Sequence, residues 1–273
     1  MLKKITFSGS VIHYTLLGKG KPVVFVHGFA EDSSVWHNQL AALEADHLLI
    51  IPDLPGSGNS EILHKENVSL EDLAECIKSI LDHEQIAECI MIGHSMGGYI
   101  TLAFAEKYPT LLSAFLLFHS SAYADDAEKV AARKKGIGFI LEKGAEAFLK
   151  ATIPGLFYDS TKSKAEMDDL LKKSSSFSPE ALIQYYTAMI NRPDRTKVLR
   201  EFEGPIGFIM GQHDKAVPFE QTLQQSHLPK MSYVYILRSS AHMGMLEETA
   251  KANGILSNFL QINQIILHPR QHY

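Results

Sequence analysis

The sequence predicts an α/β fold: a mostly parallel central sheet flanked by helices, with a helical cap insertion. Three observations carry this. Short apolar runs recur along the 273 residues and are continuous rather than alternating, as in strands covered on both faces. Helical periodicities fall between these runs. One stretch of roughly eighty residues holds no strand-like run, which is too long for a simple loop in a compact domain.

The elements follow in order. Residues 4–17 are expected as an antiparallel hairpin at the sheet edge. Residues 23–26, 48–51, 89–92, 115–118, 206–210 and 233–237 read as buried strands. Ser69-Leu70-Glu71-Asp72 resembles a capping box, and Leu73, Ile77, Ile80 and Leu81 follow on one helical face. Helical stretches near 127–141, 145–151, 165–173 and 179–191 fill the strandless part. The expected division is therefore a core of residues 1–119 and 205–273 with an insertion over 120–204. That insertion should lie over the sheet's C-terminal edge, where α/β folds place ligands.

Composition narrows the function classes. Apolar residues make up 45% and charged residues 21%, as in an ordinary globular chain. The net charge is -5, without a basic run suited to phosphate backbones, so nucleic acid is not an expected partner. The pairs Lys3-Lys4, Lys134-Lys135 and Lys172-Lys173 read as solvated faces. MLKKITFSGS lacks the apolar region of a signal peptide, and runs such as 114–118 are too short to cross a bilayer. No membrane association is expected. Cys76 and Cys89 read as buried thiols rather than a disulfide or metal pair, and a cytoplasmic location is expected.

The chemistry-bearing stretch is GHSMGG, residues 93–98. A strand-like run enters it, and Met96, Tyr99, Ile100, Ala103 and Phe104 leave it with helical spacing. G-x-S-x-G alone arises by chance roughly 0.1 times in a chain of this size, so the strand-to-helix context carries the assignment. Ser95 would sit on a sharp turn with its hydroxyl pointing out of the sheet. Side chains at Gly93 or Gly97 would collide there.

A serine nucleophile needs a base, and the base needs an orienting acid. Asp214 follows the 206–210 strand within GQHDKAVP, and His242 follows the last strand within SSAHMG. Asp125 and Asp126 are rival acids, but they lie several residues beyond their strand. The backbone N–H groups of Met96 and Phe29 are the expected oxyanion donors. His27 reads as a brace for the loop that carries Phe29. In residues 179–191, Leu182, Tyr185, Tyr186 and Met189 make an apolar face. Phe157, Tyr185, Tyr186 and Met189 are the expected substrate-binding residues.

HGFAEDSSVW (27–36), DLPGSGNS (53–60), GHSMGG (93–98), GQHDKAVP (211–218) and AHMGMLEE (241–248) together resemble the α/β-hydrolase fold superfamily, in its capped esterase-like branch. The resemblance covers about residues 20–120 and 200–262. It implies a Ser95–His242–Asp214 triad and no metal or other cofactor. Asp53, Gly56 and Gly58 would then be structural. In the same superfamily, haloalkane dehalogenases and epoxide hydrolases carry Asp where this chain has Ser95. Proline iminopeptidases carry a bulky aromatic where it has Met96. The expected function is hydrolysis of a small-molecule carboxylic ester through an acyl-enzyme. One alternative is carbon–carbon bond hydrolysis of a dioxo acid, with Arg192 and Arg195 as candidates for its carboxylates. Another is a slow-turnover receptor for a small ligand.

Overall fold

Apolar runs too short for helices become strands once both faces can be covered. The first two flank Gly9, whose φ of 84° allows a tight turn, and form the expected edge hairpin. These are β1 (Leu2–Phe7) and β2 (Ser10–Gly18), paired antiparallel. The remaining strands are β3 (Lys21–Val26), β4 (His47–Pro52), β5 (Cys89–His94), β6 (Leu112–Phe118), β7 (Ile206–Gly211) and β8 (Ser232–Leu237). The sheet order is β1-β2-β4-β3-β5-β6-β7-β8. β2 meets β4 antiparallel, and every pair from β4 to β8 is parallel. The computed structural model describes residues 1–267, with side-chain surroundings as far as residue 263. The tail 268–273, which the sequence left without an assignment, lies outside the described residues.

Every residue of β5, β6 and β7 is buried, as their unbroken hydrophobicity requires. β3 shows how the pleat divides the core. Val24 and Val26 pack on one face, while Val23 and Phe25 pack on the other. The Val24 side is covered by α2 (Leu70–His83) and α3 (Met96–Lys107), after the shorter α1 (His37–Leu43). The expected capping box is present at α2: Ser69 Oγ accepts from Asp72 N at 3.2 Å, and the Asp72 carboxylate accepts from Ser69 N at 2.8 Å. Cys76 and Cys89 are both buried thiols, and burial pushes each up to about 12.

Among the described residues, the chain between β6 and β7 is strandless. It holds α4 (Ala127–Lys143), α5 (Ala145–Thr152), α6 (Lys164–Lys173), α7 (Pro179–Ile190) and α8 (Thr196–Glu201). α7 starts where the sequence signals it: Ser178 Oγ accepts from Ala181 N at 3.1 Å, and Pro179 occupies the first helical position. After β7 come α9 (Phe219–Leu223), α10 (Gly244–Glu247) and α11 (Thr249–Leu267). Ala252, Leu256, Phe259 and Leu260 of α11 close the Val23 side of the core. No described helix is long and apolar enough to cross a membrane.

Candidate active site

The central strands end at one edge of the sheet, and the candidate residues stand on the turns that follow. Ser95 joins β5 to α3 with φ 50° and ψ −116°, a conformation that L-residues avoid unless the surroundings enforce it. The glycines beside it permit this. A Cβ on Gly93 would lie 2.4 Å from Gly97 O, and one on Gly97 would lie 2.2 Å from Val26 O. α3 can therefore start directly against β3 only with glycine at both positions. Met96 is the first residue of α3, so its N–H is among those that a helix leaves without an internal acceptor.

His242 and Asp214 reach the same point. His242 Nδ1 lies 2.8 Å from Asp214 Oδ2, and His242 Nε2 lies 2.9 Å from Ser95 Oγ. A carboxylate can only accept, so Nδ1 carries the proton and Nε2 is free to accept from the Ser95 hydroxyl. Asp214 is fixed in turn by Ala216 N and Val217 N, which donate to Oδ1 at 2.8 and 2.9 Å. Burial alone would raise the Asp214 carboxyl. His242 and its hydrogen bond outweigh burial and hold it far below the usual carboxylate range. Burial alone would lower His242, and the Asp214 charge reverses this, so its pKa is raised. Chemically, the arrangement can take a proton from Ser95 and stabilise the imidazolium that results.

Two further buried groups escaped the sequence reading. His119 follows β6 with φ 48°. Its Nδ1 accepts from Gly211 N at 3.0 Å and stands 3.2 Å from Asp214 Oδ2. Burial pushes this ring down to about 4 despite Asp214, so it stays neutral against the acid. Ligand atoms of His119, Asp214 and His242 lie within 4.8 Å of one another. They are already engaged with one another and with Gly211. Glu31 is the second group. It accepts from Gly28 N at 2.6 Å and from His94 Nδ1, while His94 Nε2 stands 3.0 Å from His242 O. Burial would raise Glu31, but His94 and the Gly28 N–H hold it low. This chain of contacts ties together the turns that carry Phe29, Ser95 and His242. Only the spacing of Glu31 after His27-Gly28 could have flagged it.

The other expected residues fall into two groups. Phe29, Tyr186 and Met189 line the cavity that contains Ser95 and His242, which has a volume of about 310 Å³. Tyr185 and Phe157 do not line it, contrary to expectation. Tyr185 is 1% exposed, and its hydroxyl bonds Pro55 O and Ser57 Oγ. Phe157 is buried in the apolar cluster, and Leu156 beside it faces the cavity instead. Asp125 is held by Arg133 and Arg192, and Asp126 caps α4, so neither rival acid contacts His242. Arg195 pairs with Glu71 and Glu106. His27 braces its loop as expected: Nε2 accepts from Leu54 N, and Nδ1 donates to Gly28 O. Asp53 accepts from Ser33 N and Asn59 N, a structural role.

Known proteins agree with this architecture. The chain is 29% identical over 268 residues to the dihydrolipoyllysine-residue acetyltransferase component of the acetoin cleaving system of Pseudomonas putida, covering 95% of this chain and 69% of that protein. It is 22% identical to a 2-hydroxy-6-oxo-2,4-heptadienoate hydrolase of the same species, covering 89% and 90%. Two other curated relatives match over about a third of their own length, 36% and 33%. Among solved structures, a thermophilic esterase from Thermogutta terrifontis, with malate bound, superposes with a TM-score of 0.89 at 25% identity, covering 96% of this chain and 99% of that one. Residues 21–249 match the family described as the alpha/beta hydrolase fold, and the chain belongs to that family.

Proposed function

We propose that the protein is a serine hydrolase that cleaves a small carboxylic ester through an acyl-enzyme. The observation that carries this reading is the hydrogen-bonded chain from Ser95 Oγ through His242 to the buried Asp214, opening on the cavity. His242 takes the Ser95 proton as Oγ attacks the ester carbonyl. The N–H groups of Phe29 and Met96 hold the developing oxyanion, and each such donor is worth about 10²–10³ in rate. His242 then protonates the departing alcohol, and water releases the acyl group by the same steps. The helices between β6 and β7 act as a cap whose Tyr186 and Met189 wall the substrate site.

Carbon–carbon bond hydrolysis would use the same groups, and one relative is named for a dienoate substrate. Arg192 and Arg195 do not serve such a substrate, because both guanidiniums are buried in ion pairs outside the cavity lining. The test is turnover of p-nitrophenyl esters, lactones and a dioxo acid by wild type and Ser95→Ala. Ester turnover that falls to a few per cent or less in Ser95→Ala, with an unchanged melting temperature, is the expected result. Ester turnover that survives the substitution would overturn the reading.

A further inference from the structure

The site has two compartments that differ in charge. Phe29, Glu31, Leu156 and Tyr186 line both the cavity over Ser95 and a second chamber of about 100 Å³. The second chamber is mostly apolar, walled by Leu149, Ile153, Leu170 and Met243, with Thr152 and the hydrogen-bonded Glu31 at its margin. The first is bordered by three cations that the second lacks: Lys129, Arg133 and Lys215.

Among the described residues, the protein leaves hydrogen-bond donors of these cations free, although the Arg133 guanidinium also stands over the Tyr186 ring at 5.5 Å. Arg133 gives Nε and Nη2 to Asp125, and its Nη1 donates to no described residue. Asp125 also faces Arg192 Nη2 at 2.9 Å, so two guanidiniums share one carboxylate. Lys129 Nζ makes a single bond, at 3.3 Å, to the neutral Gln221. Lys215 makes no side-chain hydrogen bond or ion pair with a described residue. Lys129 and Arg133 are four residues apart on α4, so they project together from one face. Two carboxylates lie nearby, and both already accept hydrogen bonds: Glu31 from His94 and Gly28 N–H, and Asp214 from His242, Ala216 N and Val217 N. The acceptors of these carboxylates are taken, while the cations on the wall keep donors to spare.

We infer that the site selects esters with two unlike arms: an apolar arm that enters the inner chamber and an anionic arm, a carboxylate, that meets Lys129 and Arg133. Arg133 would present its remaining N–H face to the carboxylate, and Lys129 would add a point charge beside it. This deepens the ester reading and rests on it for the reaction, but the anion site itself can be tested without turnover.

Two measurements decide the matter. The first compares kcat/KM for p-nitrophenyl hydrogen glutarate with that for p-nitrophenyl methyl glutarate, its neutral counterpart. Wild type should favour the anionic ester by about tenfold, with the preference shrinking at high salt. Lys129→Gln should reduce the ratio severalfold, and Arg133→Gln should reduce it further. Arg133→Gln also loosens Asp125, so Lys129→Gln is the decisive variant if Arg133→Gln fails to fold. The second measurement is calorimetric binding of glutarate and of neutral glutaramide to Ser95→Ala, with and without Lys129→Gln. Glutarate binding that weakens severalfold in the double variant supports the anion site even if neither ester turns over, in which case only the ester reading falls. A wild-type ratio at or below one, or glutarate binding indifferent to Lys129, would overturn the inference.

Discussion

In the proposed mechanism, little of what makes Ser95 reactive resides in its own side chain. Its hydroxyl is an ordinary weak nucleophile, and the turn, the neighbouring imidazole and the buried acid supply what it lacks. The pattern was legible because the glycine turn and the strand ends mark it locally. His119 and Glu31 were not legible, because their partners Gly211 and His94 come from distant strands that no local pattern links to them. Asp214→Asn should lower kcat by about 10⁴, since the amide no longer fixes the Nδ1–H tautomer of His242 or its charged form. Asp125→Asn should leave kcat within a few-fold and lower the melting temperature, because Asp125 holds two arginines. If Asp125→Asn proves the severe kinetic mutant, the acid assignment fails. The pH profile carries a sign. The proposed mechanism needs neutral His242, whose pKa is raised from 6.5, so kcat/KM should climb with pH through a limb above 6.5. In Asp214→Asn that limb should move to lower pH.

At the scale of elements, α7 teaches what periodicity can and cannot decide. Its apolar face was correctly read, yet an apolar stripe looks the same whether it covers a core or walls a cavity. Tyr185 and Tyr186 are adjacent and differ completely in place. The Tyr185 hydroxyl is locked to the loop after β4, whereas the Tyr186 ring stacks on Phe29 at 4.3 Å and faces the cavity. Tyr185→Phe removes the partner of two buried polar atoms and should cost about 1–3 kcal/mol in stability without changing acyl-chain preference. Tyr186→Ala should shift that preference by about 1–3 kcal/mol per methylene discriminated. A chain-length series combined with thermal denaturation separates the two. A shifted profile in Tyr185→Phe would place its ring at the substrate after all.

At the scale of the whole molecule, the sheet brings together turns separated by more than a hundred residues. The strands and the strandless segment were readable because continuous hydrophobicity is a local property. The pairing order, with β4 between β2 and β3, was not, since no single run encodes its neighbour. The Glu31–His94 contact fastens three of the converging turns, and its loss should be felt throughout. Glu31→Gln should cost about 1–3 kcal/mol, the usual penalty for leaving a buried hydrogen-bonding partner unsatisfied. Glu31 and Asp214 are both held below the ordinary values of their carboxyls, 4.5 and 3.8. Their contributions are therefore complete above those values and fade as pH falls through the folded pKa values. His242 runs the other way: its contribution is complete below 6.5 and fades as pH rises through its raised value. Melting temperature should therefore drop in acid, and the drop should be shallower in Glu31→Gln. An equally steep acid limb in that variant would remove Glu31 from this role.

The most direct test of the proposed triad is to trap the acyl-enzyme. The protein would be mixed with p-nitrophenyl acetate, quenched in acid, and weighed intact before peptide mapping. One acetyl group per chain, located on Ser95 and absent from Ser95→Ala, is the expected result. An acetyl group on another residue, or burst release of p-nitrophenol that persists in Ser95→Ala, would contradict the mechanism.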